Sequence, residues 1–162
     1  MNATTLLAAA SACALLVTYS GPGYGGAARP AGTQCDGPGI CRVNVLPQCV
    51  ANTCAGSVDH PTVHLTRGKH DINVVWRLPP NFGFCDGDGV VLKGPDPDRQ
   101  FDEMRPSDEA GNPTTEPSCK RRNFHWRARN TVPRPNQPYE YKIVFHDGSN
   151  RTYTIDPFLV ND

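Results

Sequence analysis

Beyond its opening segment the sequence has no second apolar run long enough to cross a membrane as a helix, a passage that needs about 20 residues. It has no excess of either charge, because sixteen Lys and Arg balance sixteen Asp and Glu. A whole-molecule attraction to nucleic acid or acidic lipid is therefore not expected, and any such binding needs a local patch. No stretch after the leader shows a sustained helical period, which argues against a helical bundle. The short catalytic signatures are missing too: there is no Gly-x-Ser-x-Gly elbow and no His-Glu-x-x-His pair. Ser57, Asp59 and His60 lie too close together for a triad, whose members come from separate segments. No Met follows Cys119 and His125, which rejects a blue-copper set.

What is present begins with an apolar stretch, Leu6 to Thr18, followed by the small residues Gly25, Gly26, Ala27 and Ala28. This predicts a secretory signal over 1–28, although no Lys or Arg precedes the apolar run. Ala10-Ser11-Ala12-Cys13 loosely resembles a lipoprotein cleavage box. The apolar run continues past Cys13, so lipidation stands only as the alternative. Six further cysteines follow: Cys35, Cys41, Cys49, Cys54, Cys85 and Cys119. None of their gaps has the Cys-x2-Cys spacing of a zinc knuckle. An even number in an exported chain reads as three disulfides, and six cysteines allow fifteen connectivities. Proximity favours Cys35–Cys41, Cys49–Cys54 and Cys85–Cys119, while a longer reach for Cys41 or Cys49 stays open.

After a Gly/Pro-rich segment, taken as a flexible lead-in over 29–40, the dominant period is two. Cys41, Val43 and Val45 alternate with polar residues, as do Val63 and Leu65. The same pattern recurs at Ile72 to Leu78, Phe124 to Ala128, Tyr139 to Phe145, and Tyr153 to Ile155. Alternation is what a half-buried strand requires, since successive side chains face opposite sides. Turn chemistry separates the runs at Arg67-Gly68-Lys69-His70 and at Asp147-Gly148-Ser149-Asn150. Pro79-Pro80 should stop the Trp76 strand. The expectation is one all-β domain over 41–162, a two-layer antiparallel β-sandwich of about seven strands.

Tyr139-x-Tyr141-x-Ile143-x-Phe145, Asp147-Gly148 and Tyr153-x-Ile155-Asp156-Pro157-x-Leu159-x-Asn161 resemble the closing hairpin of small exported bacterial immunoglobulin-like domains. Val63-x-Leu65-x-x-Gly68 with Ile72-x-Val74-x-Trp76-x-Leu78 is similar to their earlier strand pair and its core tryptophan. The resemblance covers about a third of the chain. It implies an immunoglobulin-like architecture and no catalytic residue; no cysteine follows Cys119, so the antibody-type Tyr-x-Cys is missing.

One segment breaks the spacing. Residues 94–118 show no strand pattern and read as a long acidic loop, bracketed by Cys85 and Cys119. The sign of charge then flips at Lys120, Arg121 and Arg122. With Phe124 and Trp126 facing the core, Arg121, Asn123, His125, Arg127 and Arg129 should share the outer face. Such a row suits phosphate, sulfate or carboxylate partners, or else its charges simply answer the acidic segment. Its aromatics point the wrong way for nucleic-acid stacking. Asp86, Asp88, Asp96, Asp98, Asp102 and Glu103 could supply oxygens to calcium, but not at EF-hand spacing. His60, His64 and His70 lie near one another without an identifiable third ligand on the face shared by His60 and His64. The expected function is a non-catalytic binding module without cofactor, contacting a protein, glycan or envelope polymer through 94–118 and 121–129. The alternatives are a structural part of an envelope assembly and, less favoured, a metal protein or enzyme.

Overall fold

Each run of period two becomes a strand. The computed structural model describes residues 33–35, 39–50, 53–65, 71–87, 89–132 and 137–161. The expected signal, Cys13, the Arg67–His70 turn and Asp88 lie outside the described residues. In chain order the strands are β1 (Thr33–Cys35), β2 (Ile40–Val50), β3 (Thr53–Val58), β4 (Thr62–Leu65), β5 (Ile72–Arg77) and β6 (Phe82–Gly83). They continue as β7 (Val90–Leu92), β8 (Phe101–Ser107), β9 (Asn123–Ala128), β10 (Tyr139–Asp147), β11 (Thr152–Ile155) and β12 (Phe158–Asn161). No helix occurs among the described residues.

The strands form two sheets. One runs β3-β2-β5-β9-β8; the other is built around β10, with β1-β4-β12 and β11 to one side and β6 and β7 to the other. The pairs Glu140↔Phe158 and Ile143↔Ile155 keep a single register, so β11 and β12 are two halves of one strand. Asp156-Pro157 interrupts it, because proline offers no ladder donor. Three pairings are parallel: β1 with β4, β12 with β4, and β2 with β5. The sheets are therefore mixed, where the alternation alone had suggested purely antiparallel ones. β4 and β5, expected to pair through the Gly68 turn, belong to different sheets.

The inner faces meet in one core that includes Val43, Leu65, Val74, Trp76, Trp126, Tyr141 and Leu159. Trp76, Trp126 and Tyr141 touch edge to face, with centroids 4.9 Å, 5.4 Å and 5.8 Å apart. Each such contact adds about 0.5–1.5 kcal/mol beyond the buried area. Both indoles donate across to the other sheet, Trp76 Nε1 to Tyr141 Oη and Trp126 Nε1 to the Val90 carbonyl. Burial pushes the Tyr141 hydroxyl far above its usual range, so it stays neutral and serves as the acceptor.

The three disulfides are Cys35–Cys41, Cys49–Cys54 and Cys85–Cys119. They match the pairing favoured by proximity and fit an oxidising environment. The first joins β1 in one sheet to β2 in the other; the second closes the β2–β3 hairpin. The third joins the segment after β6 to the segment before β9, with a separation of 34 residues. Thr33–Cys35, assigned by composition to the flexible lead-in, is strand β1, tethered by its bridge and paired with β4.

Beside the third bridge the backbone is packed tightly. A Cβ on Gly83 would run into the Cys119 carbonyl. That carbonyl cannot yield, because Cys119 N donates to Phe84 O and Phe84 N donates to Arg121 O. Gly83→Ala is expected to cost about 1–3 kcal/mol. Gly94→Ala, with nothing within 4 Å of its Cβ, should leave the urea midpoint unchanged. Equal midpoints for the two variants would contradict this packing.

Candidate functional site

The acidic segment is no open loop. Within it Phe101–Ser107 forms β8 and pairs along β9 from Phe101↔Ala128 to Ser107↔Asn123. A register shift between Asp102 and Arg105 leaves Glu103 and Met104 as a bulge, and Glu103 adopts a left-handed φ of 52°. The bulge breaks the alternation, and Pro106 is tolerated because this strand forms the sheet edge. Both features hide the strand from a period-two reading.

The segment is fastened to the sheet at three further points. Gln100 is fully buried; its amide donates to the Asp98 carbonyl and accepts from the backbone N–H groups of Thr131 and Val132. Asp108 closes a turn by accepting from Ala110 N, Asn112 N and the Asn112 amide. Gly111, at φ 83°, sits at the tip of that turn and lies against the His125 ring. Glu109 pairs with Arg77 at 2.8 Å. The insertion therefore folds back over the outer face of the β3-β2-β5-β9-β8 sheet.

This covering redistributes the expected basic row. Parity is as expected: Phe124 and Trp126 enter the core, and Asn123, His125 and Arg127 take the other face. Yet Asn123 and His125 are buried, because β9 lies between β5 and β8 and beneath the insertion. His125 Nε2 meets the Asn73 side chain at 2.8 Å and Nδ1 meets the Glu103 carbonyl at 3.3 Å. Burial pushes its imidazole below the ordinary range, against the pull of that carbonyl. Arg121 stands apart at the base of the disulfide loop, donating to the Glu116 carbonyl and pairing with Asp86.

Arg127 and Arg129 converge on Asp102. Arg127 grips it with two donors, Nε at 2.7 Å and Nη2 at 2.9 Å, and Arg129 Nε donates at 3.0 Å. Arg127 also pairs with Glu103, which in turn pairs with Arg105, each at 2.7 Å. Asp71 lies 3.9 Å from Arg127. Three guanidinium groups thus meet three carboxylates along the β8–β9 edge. The Arg127 hydrogen bonds, helped by Arg129, hold Asp102 at about 2 against the cost of its burial. The sequence does not reveal Asp102, Glu103 and Arg105 as partners of this row, since their roles depend on the bulged register, nor Asn73 and Gln100, whose partners His125 and Thr131 come from distant parts of the chain. The calcium reading meets a division of labour: Asp86, Asp102 and Glu103 are in ion pairs, and Asp96 caps Phe101 N. His70 lies outside the described residues, and among those described no three His, Cys, Asp or Glu side chains gather as a metal site.

Two acid transitions follow. A carboxylate held low stabilises the fold above its unfolded value of about 3.9 and loses that contribution as pH falls towards about 2. A histidine held neutral by burial loses stability as pH falls below about 6.5, where the unfolded chain takes the proton. Asp102→Asn should cost about 1.5–3 kcal/mol near neutrality, and the difference from the natural chain should shrink towards pH 2. His125→Gln should flatten the loss of stability between about pH 7 and 5. Urea midpoints from about pH 7 down to about pH 2 read both effects, and parallel curves for all three proteins over that span would refute them.

The sequence matches no protein-family model and no curated protein, so the functional reading rests on the residues of this chain.

Proposed function

We propose that this chain is an exported, disulfide-stapled domain of immunoglobulin-like sandwich type that acts by binding a protein partner, without catalysis or cofactor. The three bridges support export, since such bridges persist in oxidising compartments such as the periplasm or the extracellular medium. The contact region is the outward side of the 94–118 insertion together with the Arg127–Arg129 end of β9.

The observation that carries this reading is the Arg129–Asp102–Arg127–Glu103–Arg105 network on a paired edge strand, with Asp71 beside Arg127 as its third carboxylate. Its side chains are held before any partner arrives, so little rotamer entropy is lost on contact. Its charge is balanced, which disfavours a polyanionic polymer and suits a protein surface carrying both signs. Met104, 41% exposed at the bulge, supplies an apolar contact among the charges.

The test is a double variant, Met104→Asp with Arg129→Ala, compared with the natural chain as oxidised bait on envelope and secreted fractions of the source organism. Recovery of the specific partner should fall at least about tenfold. The thermal midpoint should stay nearly unchanged, because Arg127 still holds Asp102. Equal recovery by both baits sinks the proposal.

A further inference from the structure

A second surface, apart from the β8–β9 edge, lies where β2 outruns its neighbour. β2 pairs with β5 only as far as Asn44↔Arg77, then continues to Val50 with β3 alone. Two prolines explain the separation. Pro79 carries no N–H for β2 to accept from, and Pro47 offers none in return. Among the described residues no strand pairs with β2 on this side beyond Asn44.

The edge is also oriented for pairing. Asp59 N donates to Asn44 O, so Asn44 and the residues in phase with it turn their main-chain groups towards β3. Val45, Pro47 and Cys49 consequently turn theirs to the vacant side. Between this edge and β5 lies a groove of about 640 Å³, lined by Leu46, Pro47, Leu78, Pro79, Arg77 and Arg122, among others. Leu46 is 43% exposed there. Arg122 spends one donor on the Leu78 carbonyl and makes no ion pair among the described residues, whereas Arg77 is paired with Glu109.

We propose that this groove receives an extended segment of another protein, which adds as a short strand to the vacant edge of β2. Its main-chain N–H groups bond the Val45 and Pro47 carbonyls, an apolar side chain packs on Leu46 and Pro79, and a carboxylate reaches Arg122. The chemistry of the groove selects this occupant. Carbonyls that face no strand among the described residues call for an extended backbone, and a guanidinium that makes no ion pair among those residues, beside apolar walls, calls for a peptide that is both apolar and acidic. A segment of four or five residues matches the free edge, about 16 Å at strand rise. The proposal goes beyond the β8–β9 reading and does not rest on it.

The probe is an acetylated six-residue peptide of alternating valine and threonine, with aspartate and a free carboxylate at its end. It is titrated into the oxidised, nitrogen-15-labelled chain. Amide shifts should be confined to residues 44–46, 48–50, 77, 78 and 122. Arg122→Ser and Leu46→Asp should each weaken binding at least about tenfold. So should amidating the peptide terminus while replacing its aspartate by asparagine. Methylating alternate peptide nitrogens should abolish binding, since it removes the donors and leaves the side chains. Met104→Asp with Arg129→Ala should leave peptide binding unchanged, which separates a failure here from a failure at β8–β9. No shifts at millimolar peptide, equal binding by the methylated peptide, or shifts confined to β8 and β9 would each overturn the proposal. Leu46-dependent self-association that excludes the peptide would overturn it too, by making a second copy the occupant.

Discussion

The contact of Trp76 with Trp126 and Tyr141 is the interaction on which the rest depends. Two of these rings stand on adjacent strands of one sheet and the third on the central strand of the other. Their polar atoms are satisfied across the interface, so the contact sets the relative position of the sheets as well as burying area. A shift of one residue in β5 or β9 would turn an indole out to the opposite face and break both hydrogen bonds. The disulfides work around this centre. Cys35–Cys41 joins strands of different sheets, Cys85–Cys119 ties the segment that follows β6 to the one that precedes β9, and Cys49–Cys54 stays within one hairpin.

Charge in this molecule is spent largely inside it. The acidic stretch before Cys119 and the basic stretch after it resemble two surfaces awaiting partners when read along the chain. Folded, they supply partners to one another, Asp102 taking Arg127 and Arg129 and Asp86 taking Arg121, while Glu109 takes Arg77 of β5. A net charge of zero is then reproduced locally along the β8–β9 edge. Such pairing is modest per contact where exposed, but here several share one bidentate centre, which raises the worth of Asp102. What the surface retains for others is shape and balanced polarity.

Legibility followed burial. Ile72 to Arg77, Asn123 to Ala128 and Tyr139 to Asp147 each have one face in a continuous apolar core, and their alternation announces it. Phe101–Ser107 has no such core face along its middle, because a bulge and a left-handed Glu103 rotate the chain away from strict alternation. The candidate row was half legible for the same reason. Parity placed Asn123, His125 and Arg127 on one face, but parity is silent about what covers that face. The turn at Asp108 to Asn112 covers it, 13 or more residues away in the chain from His125. The vacant edge of β2 was equally hidden, since Pro79 marks a strand end and Pro47 lies within β2, and the two make a groove only when brought side by side.

The sequence by itself pointed to β-structure for the described residues, set turns at particular Asp, Gly and Pro positions, and favoured by proximity the cysteine pairing that the structure has, with longer reaches still open. These properties are local: alternation decides which face is buried, proline and glycine act on their own dihedrals, and nearby cysteines need only short loops. Only the tertiary structure decided which strands are neighbours, that β2 runs parallel to β5, and that a charged insertion would close over a strand expected to face solvent. Neighbour choice is a competition among distant pairings of similar local quality, and the indole contacts and the loop closed by Cys85–Cys119 settle it through the geometry of the whole core.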